Sequence, residues 1–345
     1  MKIAIYGASG YQGRLVLAEA TRRGLEVVLV GRDAGRLRRA AAVTGLTGAD
    51  VRPAAVGDHQ ALVAAFRAAD AVVNCAGPFT PTGAAVVRAA IGAGRPYVDT
   101  SGEQLYLKRI FDDFGAEAAA AGVTVVPAAT DGCVPLDLVA ALLAGRLGPL
   151  ESITSVHLIA GGGTPSRGSL RSLIGSADAV GTGGLQYVDG GWRAGGAARS
   201  ASITVTPGSA AVPLAGFPLP EVVTIPRHVK VRRVTGLVEA ALVARLAVPM
   251  DPAVVAGLPE GPAEDDRRAQ RFTYVADAVA VDGREGRAVV EGHDTYGTTA
   301  VIAVESARRL AAAPAEPGVR APAQAFDPAG FLAFLAPYGI RWTAG

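Results

Sequence analysis

Short runs of β-branched residues alternate with helical spacings of apolar residues over about the first 135 positions. Strands are predicted at residues 2–6, 25–30, 51–56, 71–74, 96–99 and 123–127. Helices are predicted between them at residues 12–23, 34–42, 59–68, 83–93 and 103–121. Strands that alternate with helices in this way form βαβ units, so the pattern predicts an α/β, doubly wound parallel sheet.

The hydrophobic pattern changes after residue 150. A helix predicted over 136–147 leads to a strand at 153–159, a glycine-rich loop at 161–168 and a short helix at 169–177. Further strands are predicted at 185–188, 203–205, 229–233, 271–281 and 287–291. Paired strands and turns of this kind predict a second, mixed α+β domain that is largely antiparallel. A helix at 296–310 and an apolar stretch at 331–342 follow, so we place the boundaries at 1–135, 136–295 and 296–345.

A glycine-rich string joins the first predicted strand to the first predicted helix. It comprises Gly7, Ala8, Ser9, Gly10, Tyr11, Gln12 and Gly13. Glycines in this context permit a tight turn and a close approach of the backbone to a pyrophosphate, whose charge is stabilised by the helix N-terminus. The alternative is a structural glycine turn. Because a complete second βα unit follows, we predict a Rossmann-type dinucleotide site.

The end of the second predicted strand indicates which dinucleotide binds. NAD sites usually place a carboxylate there for the ribose 2′-hydroxyl, whereas this chain has Gly31 and Arg32, followed by Arg36. Arg32 can stack on adenine and pair with a 2′-phosphate, and Arg36 lies one helical turn further on. We therefore predict NADP(H). The alternative is that these arginines form a solvated helix face and that Asp33 reaches the ribose.

Candidate nicotinamide contacts follow the fourth and fifth predicted strands, because the carboxyl ends of parallel strands form the binding crevice. After the fourth strand come small or polar residues: Asn74, Cys75, Ala76, Gly77 and Pro78. After the fifth come Asp99, Thr100 and Ser101. Thr100 and Ser101 fit helix N-caps equally well, and Asp99 could serve only to orient that turn.

A reductase also needs a proton donor near the acceptor, unless the acceptor is an iminium that already carries its proton. Asp131 and Cys133 follow the sixth predicted strand, and Arg167 and Tyr187 come from the second domain. Cys133 could act as a thiol near a helix N-terminus, or be a small buried hydrophobe. Arg167 could anchor an anion or be solvated, and Tyr187 could donate a proton or only pack. No tyrosine has a lysine four residues later, which disfavours the short-chain dehydrogenase mechanism.

Composition narrows the class of partner. Of 345 residues, 50% are hydrophobic, and 33 basic side chains face 31 acidic ones. Disorder and nucleic-acid binding are therefore not expected. The 2 cysteines support neither a disulfide framework nor a metal site, and the histidines lack metal-ligand spacing. Neither a signal peptide nor an apolar run long enough to span a membrane is evident, so we expect a cytoplasmic protein with a small-molecule substrate.

Several strings together resemble the saccharopine dehydrogenase-like superfamily, in particular its single-chain NADP-binding branch that includes trans-acting enoyl reductases. The matching strings lie at residues 7–13, 30–32, 73–79, 97–103, 131–138, 166–172, 294–300 and 322–328. The resemblance implies a Rossmann domain, an inserted domain for substrate and dimer contacts, and a C-terminal segment that returns to the first domain. It also implies a homodimer and NADPH-dependent reduction of a C=N or activated C=C bond.

Two functions from different classes follow from these observations. The first is an NADPH-dependent reductase that acts on an imine or an activated alkene of a small metabolite. The second is a non-catalytic NADP-binding regulator or assembly partner, since redox sensors carry a similar glycine loop. A sensor has no need of an apolar pocket beside the nicotinamide, which residues 161–171, 185–187 and the long hairpin are expected to form, so we favour the reductase. An acyl-enzyme dehydrogenase, suggested only by the Cys133 and Pro135 spacing, is a third alternative.

Overall fold

The computed structural model describes residues 1–195, 201–205, 210–246, 248 and 250–345. The N-terminal strands and helices alternate along the chain as the hydrophobic pattern predicts. The strands are β1 (Lys2–Tyr6), β2 (Glu26–Gly31), β3 (Asp50–Pro53), β4 (Ala71–Asn74), β5 (Tyr97–Asp99) and β6 (Thr124–Val126). The helices are α1 (Tyr11–Arg22), α2 (Ala34–Val43), α3 (His59–Arg67), α4 (Phe79–Ala93), α5 (Gln104–Ala120) and α6 (Cys133–Leu147).

These six strands are parallel and lie in the order β3-β2-β1-β4-β5-β6, which is the doubly wound arrangement. Alternate residues of β1 explain the layers. Ile3 and Ile5 belong to one core cluster with residues of α1 and α6, whereas Ala4 and Tyr6 belong to another with residues of α3, α4 and α5. A strand that is apolar on both faces must be covered on both faces, as in other parallel sheets.

The second sheet is built around β7 (Leu150–Ala160), which runs parallel to β12 (Val231–Glu239) and antiparallel to β13 (Arg271–Ala280). Its other strands are β8 (Leu185–Val188), β9 (Gly191–Ala194), β10 (Ala201–Ile203), β11 (Val212–Gly216) and β14 (Glu285–His293). The accompanying helices are α7 (Arg167–Gly175), α8 (Ala177–Gly181), α9 (Glu221–Thr224), α10 (Ala240–Leu246), α11 (Pro252–Gly257) and α12 (Glu264–Ala269). The predicted α/β fold with a mixed second domain is confirmed.

The C-terminal segment contributes to both sheets. Its elements are α13 (Thr295–Ala312), β15 (Gly318–Val319), α14 (Pro322–Ala325), α15 (Pro328–Leu335) and β16 (Arg341–Ala344). Helix α13 packs against α1, and β15 extends the parallel sheet beside β6. Strand β16, however, pairs with β14 of the second sheet. The segment therefore contributes a strand to each sheet, instead of packing on the first domain alone.

Two helices begin earlier than their apolar periodicity predicts. Helix α4 begins at Phe79 instead of residue 83, because the Glu103 carboxylate accepts the Phe79 and Thr80 backbone N–H groups at 2.7 and 2.6 Å. Helix α6 begins at Cys133 instead of residue 136, with the Thr130 hydroxyl accepting the Cys133 N–H at 3.2 Å. A side chain that satisfies first-turn N–H groups extends a helix beyond its apolar repeat. Within the described parts of the chain, every helix is too short or too polar to cross a membrane.

Candidate active site

The turn between β1 and α1 has the geometry of an anion-binding loop. Gly7 has a φ of +81°, and a Cβ there would lie 2.9 Å from the Ala76 Cβ. A Cβ on Gly13 would lie 2.1 Å from the Gly7 carbonyl oxygen, so only glycine permits α1 to approach the loop this closely. Gly10 is the N-cap and provides no side-chain bond to the first turn. The first-turn N–H groups are thus oriented for a phosphate, and the loop fits a dinucleotide.

The arginines predicted for the 2′-phosphate lie at the carboxyl end of β2. Arg32 and Arg36 both line the cleft that adjoins the glycine loop, together with Ser9, Tyr11 and Gln12. Asp33 is the N-cap of α2, where its carboxylate accepts the Arg36 N–H at 3.0 Å. This hydrogen bond lowers the pKa of Asp33. Asp33 thus serves as a helix cap, and the cationic side chains of Arg32 and Arg36 line the cleft where the ribose end of a cofactor is expected.

Three residues predicted to touch the cofactor are instead buried supports for the crevice. Asn74, Asp99 and Ser101 have no exposed surface. Asn74 accepts the Ala76 N–H at 2.9 Å and donates to the Tyr97 hydroxyl at 3.0 Å, which fixes the backbone at the end of β4. These placements correct the interpretation of the three as direct contacts, since their polar atoms are engaged by the protein.

Asp99 organises the ends of β5 and β6. One carboxylate oxygen accepts the Ser101 hydroxyl at 2.6 Å and the Ala128 N–H at 2.9 Å. The other accepts the Tyr97 and Tyr106 hydroxyls at 3.0 and 2.7 Å. Burial raises the pKa of Asp99, although these donors oppose the rise. The residue therefore holds neighbouring strand ends together.

Of the remaining predicted residues at the end of β4, three line the cleft and the fourth does not. Cys75, Ala76 and Gly77 line the cleft. Pro78, the N-cap of α4, is absent from the described residues that line it. Burial raises the pKa of the Cys75 thiol to about 12, so this cysteine stays a neutral thiol near pH 7.

The cleft itself has a volume of about 640 Å³ and lies where the carboxyl ends of the parallel strands face the second domain. The glycine loop and the two arginines line this cleft. Apolar side chains that also line it are together called the apolar wall below: Phe79, Leu105, Ile159, Leu173, Val180, Phe217 and Leu219. A cleft of this size with an apolar wall suits a small organic substrate beside a nicotinamide.

A cluster of titratable groups lies within the cleft, where both domains meet. Asp131, at the start of α6, accepts the Thr299 hydroxyl at 2.9 Å and the Tyr274 hydroxyl in a short hydrogen bond. The His157 ring lies 4.2 Å from the Tyr274 ring, and its Nε2 is 2.8 Å from the buried Glu221 carboxylate without hydrogen-bond alignment. Asp131 is only partly buried as a residue, whereas Tyr274 is 1% exposed. Asp131, His157, Tyr274 and Thr299 all line the cleft, and Asp131 is the least buried of the four.

Burial controls the charge of this cluster. It raises the pKa of Asp131, against the opposing effects of the Tyr274 and Thr299 hydrogen bonds and of His157. Burial and the neighbouring Asp131 charge raise the pKa of Tyr274 well above its usual value. Asp131 thus holds a proton more readily than an exposed aspartate does, while Tyr274 stays a neutral hydrogen-bond donor.

Two residues predicted to do chemistry are in unsuitable places. Cys133 is fully buried, and its sulfur lies 3.8 Å from the Thr224 hydroxyl. Burial raises its pKa well above the usual value, so the interpretation as a reactive thiol is corrected to that of a packed core residue. Tyr187 packs with its ring 5.2 Å from that of Trp192 and is not among the described residues of the cleft, which corrects its interpretation as a proton donor.

Arg167, in contrast, does line the cleft, where it pairs with Glu260 at 3.1 Å. Sequence reasoning missed His157, Tyr274 and Thr299. His157 and Tyr274 point into the junction from adjacent strands and are cross-strand partners in register, and Thr299 comes from a helix far along the chain. The alternation within β7 and β13 predicts which face of each strand is buried, but it does not indicate that the two faces meet Asp131.

Comparison with known proteins finds a family that the first domain resembles. Residues 3–126 match the model of a family described as the saccharopine dehydrogenase NADP binding domain. This match is confined to the first domain, where the glycine loop and the strand-end residues lie. The resemblance predicted from the glycine and strand-end motifs is confirmed here, and so is the predicted coenzyme, NADP(H).

Curated relatives match half of the chain or less. A Caenorhabditis elegans lipid droplet localized protein is 31% identical over 186 residues, which are 50% of this chain and 44% of that protein. A trans-acting enoyl reductase of Mycobacterium leprae is 33% identical over 144 residues, 39% of this chain and 34% of the relative. The chain therefore spans less than half the length of these curated relatives.

A solved structure resembles the whole chain. Saccharopine dehydrogenase (L-Glu forming) from Saccharomyces cerevisiae superposes with a TM-score of 0.61 at 15% identity. The superposition covers 100% of this chain and 99% of the yeast chain. At this identity the likeness concerns the fold alone, including the second sheet that the family model does not reach.

Proposed function

We propose that the protein is an NADPH-dependent reductase that delivers hydride to a C=N bond or an activated C=C bond of a small metabolite. The observation that carries this proposal is the position of Asp131. A carboxyl group with a raised pKa lies in the same cleft as the dinucleotide loop and an apolar wall. Relatives named enoyl reductase support a reductive reaction. A non-catalytic NADP-binding regulator would not need this acid.

The chain's own residues account for binding and orientation of the reactants. The glycine loop receives the pyrophosphate, and Arg32 and Arg36 pair with the 2′-phosphate. When bound, NADPH supplies the hydride at C4 of its nicotinamide. Ala76 and Gly77, held by Asn74, leave room for that ring beside the strand ends. The apolar wall excludes water from the acceptor carbon.

Asp131 provides the proton for a C=C substrate. Addition of hydride to an activated alkene leaves negative charge on the activating group, which a positioned acid neutralises. Tyr274 and Thr299 donate hydrogen bonds to the Asp131 carboxyl group, so they are positioning residues that also stabilise the carboxylate after the proton has left. An iminium substrate already carries its proton and does not require Asp131.

This difference makes substitution of Asp131 diagnostic of the acceptor bond. NADPH oxidation is measured at 340 nm with a panel of imines and a panel of α,β-unsaturated carbonyl compounds. With an alkene substrate, Asp131→Asn should lower kcat about 100-fold or more while NADPH affinity is retained. With an iminium substrate, kcat should change less than about tenfold. Unchanged kcat with an alkene would contradict the role of Asp131.

Tyr274→Phe tests the positioning role through the pH profile. The Tyr274 hydrogen bond lowers the pKa of Asp131, so its loss raises that pKa further. The pH at which kcat falls because Asp131 becomes deprotonated should therefore move upward. Tyr187→Phe is the matched control, because Tyr187 packs against Trp192 away from the cleft. An unshifted profile for Tyr274→Phe would show that the hydroxyl has a structural role only.

A further inference from the structure

A short segment of the second domain crosses the phosphate loop. It comprises residues 258–262, between α11 and α12, and is called the strap below. The Tyr11 hydroxyl donates to the Pro262 carbonyl at 2.9 Å. A Cβ on Gly261 would lie 2.4 Å from the Tyr11 ring, so the strap rests directly on the first turn of α1. Anything that binds at this turn therefore meets the strap.

The strap carries a carboxylate that joins three arginines. One Glu260 oxygen lies 2.6 Å from the Arg14 guanidinium. The other lies 3.1 Å from Arg36 and 3.1 Å from Arg167. Burial alone would raise the pKa of Glu260, but these arginines outweigh it and lower the pKa, so the group is a carboxylate near neutral pH. Glu260 thus links helices α1 and α2 to helix α7.

Arg36 is also one of the two cations placed for a 2′-phosphate. A carboxylate that pairs with a guanidinium offsets its positive potential and leaves it fewer free N–H donors to offer a phosphate. We propose that Glu260 competes with the 2′-phosphate of NADP(H) for Arg36, and so sets the affinity for this coenzyme relative to NAD(H). The inference rests on the coenzyme half of the proposed function and does not depend on which bond is reduced.

Several contacts of the strap do not involve the Glu260 carboxylate. The Arg167 backbone N–H donates to the Glu260 carbonyl at 3.1 Å, and the Arg167 guanidinium donates to the Ala256 carbonyl at 3.0 Å. Together with the Tyr11 and Pro262 contact, these bonds hold the backbone of residues 256–262 against α1 and α7. Replacing only the carboxylate with an amide therefore changes the charge at Arg36 while the covering segment stays in place.

Glu260→Gln tests the competition by equilibrium titration. Binding of NADPH and of NADH is followed by fluorescence, and binding of 2′,5′-ADP and 5′-AMP by calorimetry. We expect Glu260→Gln to bind NADPH and 2′,5′-ADP about three- to tenfold more tightly, with little change for NADH and 5′-AMP. Glu264→Gln is the matched control, since Glu264 is 63% exposed and pairs with Arg268 on its own helix.

A double-mutant cycle assigns the effect to Arg36. In an Arg36→Gln background, Glu260→Gln should no longer change the ratio of NADPH to NADH affinity. Unchanged or weaker NADPH binding in Glu260→Gln would overturn the proposal, as would equal tightening of NADPH and NADH. These measurements need no substrate. If the wild-type protein binds NADPH but reduces nothing, the proposed reductase is contradicted, while the binding measurements still test the competition. If it binds no NADPH, both proposals are overturned.

Discussion

Gly13 lies at the closest contact between the first helix and the loop that precedes it. A methyl group there would come within 2.1 Å of the Gly7 carbonyl oxygen. The contact cannot relax through a side-chain rotation, because both partners are backbone. The third glycine of the loop is therefore a requirement of helix packing, and the distance between α1 and the cofactor's phosphates depends on it.

Gly13→Ala should destabilise the fold and weaken NADPH binding together. We expect a loss of about 1–3 kcal/mol in the free energy of unfolding, typical of overpacking, and at least about a tenfold loss of NADPH affinity. Urea denaturation and fluorescence titration measure the two effects. Gly115→Ala is the matched control, because a Cβ at this position in α5 meets no atom within 4 Å. Its stability should be unchanged or slightly higher. A Gly13→Ala protein with wild-type affinity would contradict this account of the loop.

Residue-level predictions of position agree with the structure where the signal is local in the sequence. The glycine loop and Arg32 follow their strands directly, so position along the chain was sufficient to place them beside the cleft. Asp99 was misassigned because its hydroxyl partners, Tyr97 and Tyr106, become known only when the strand end is folded. Tyr274 was missed because nothing in the alternation of β13 distinguishes a core tyrosine from one that contacts Asp131.

Helix α6 links β6 of the first sheet to β7 of the second sheet along the chain. Its Asp137 carboxylate is fully buried and accepts the Ala323 N–H at 2.8 Å, and it lies 2.9 Å from His228 Nε2. These three residues come from helix α6, from the second domain and from the C-terminal segment. Hydrophobic periodicity predicted the helix but not its start at Cys133, since that start depends on the side chain of Thr130.

The contribution of His228 to stability should depend on pH. Burial lowers its pKa, but Asp137 outweighs burial and leaves the pKa raised from 6.5. The folded state therefore holds the proton more tightly than the unfolded chain. The stabilisation is complete below the unfolded-state pKa and is lost as pH rises through the raised folded-state value. The difference in unfolding free energy between wild type and His228→Gln should thus be larger near about pH 6 than near about pH 9.

Urea denaturation at both pH values measures this difference. His59→Gln is the control, because His59 is exposed at the start of α3. A His228→Gln penalty that is the same at both pH values would mean that the ion pair with Asp137 does not contribute through its charge.

At the scale of the whole molecule, α5 fixes the position of the second domain over the cleft. Gln104 donates to the Leu185 and Leu219 carbonyls at 3.1 and 3.0 Å, and Glu103 accepts the Ser172 hydroxyl at 2.6 Å. These bonds hold the apolar wall beside the strand ends. The division into two domains could be predicted from the sequence, because each domain has its own hydrophobic period. The contacts between the domains could not be predicted, because they join residues 69–115 positions apart. The homodimer stays a prediction.

The central claim is that the cleft transfers hydride from NADPH to a substrate carbon. Its most direct test uses NADPH that carries deuterium at both C4 positions of the nicotinamide, mixed with the protein and with each member of the imine and unsaturated carbonyl panels. The account predicts a product from one panel that has gained one deuterium on carbon, with NADH giving far less product. Tight NADPH binding with no transfer of label to any compound in either panel would contradict the reductase and favour an NADP-binding regulator.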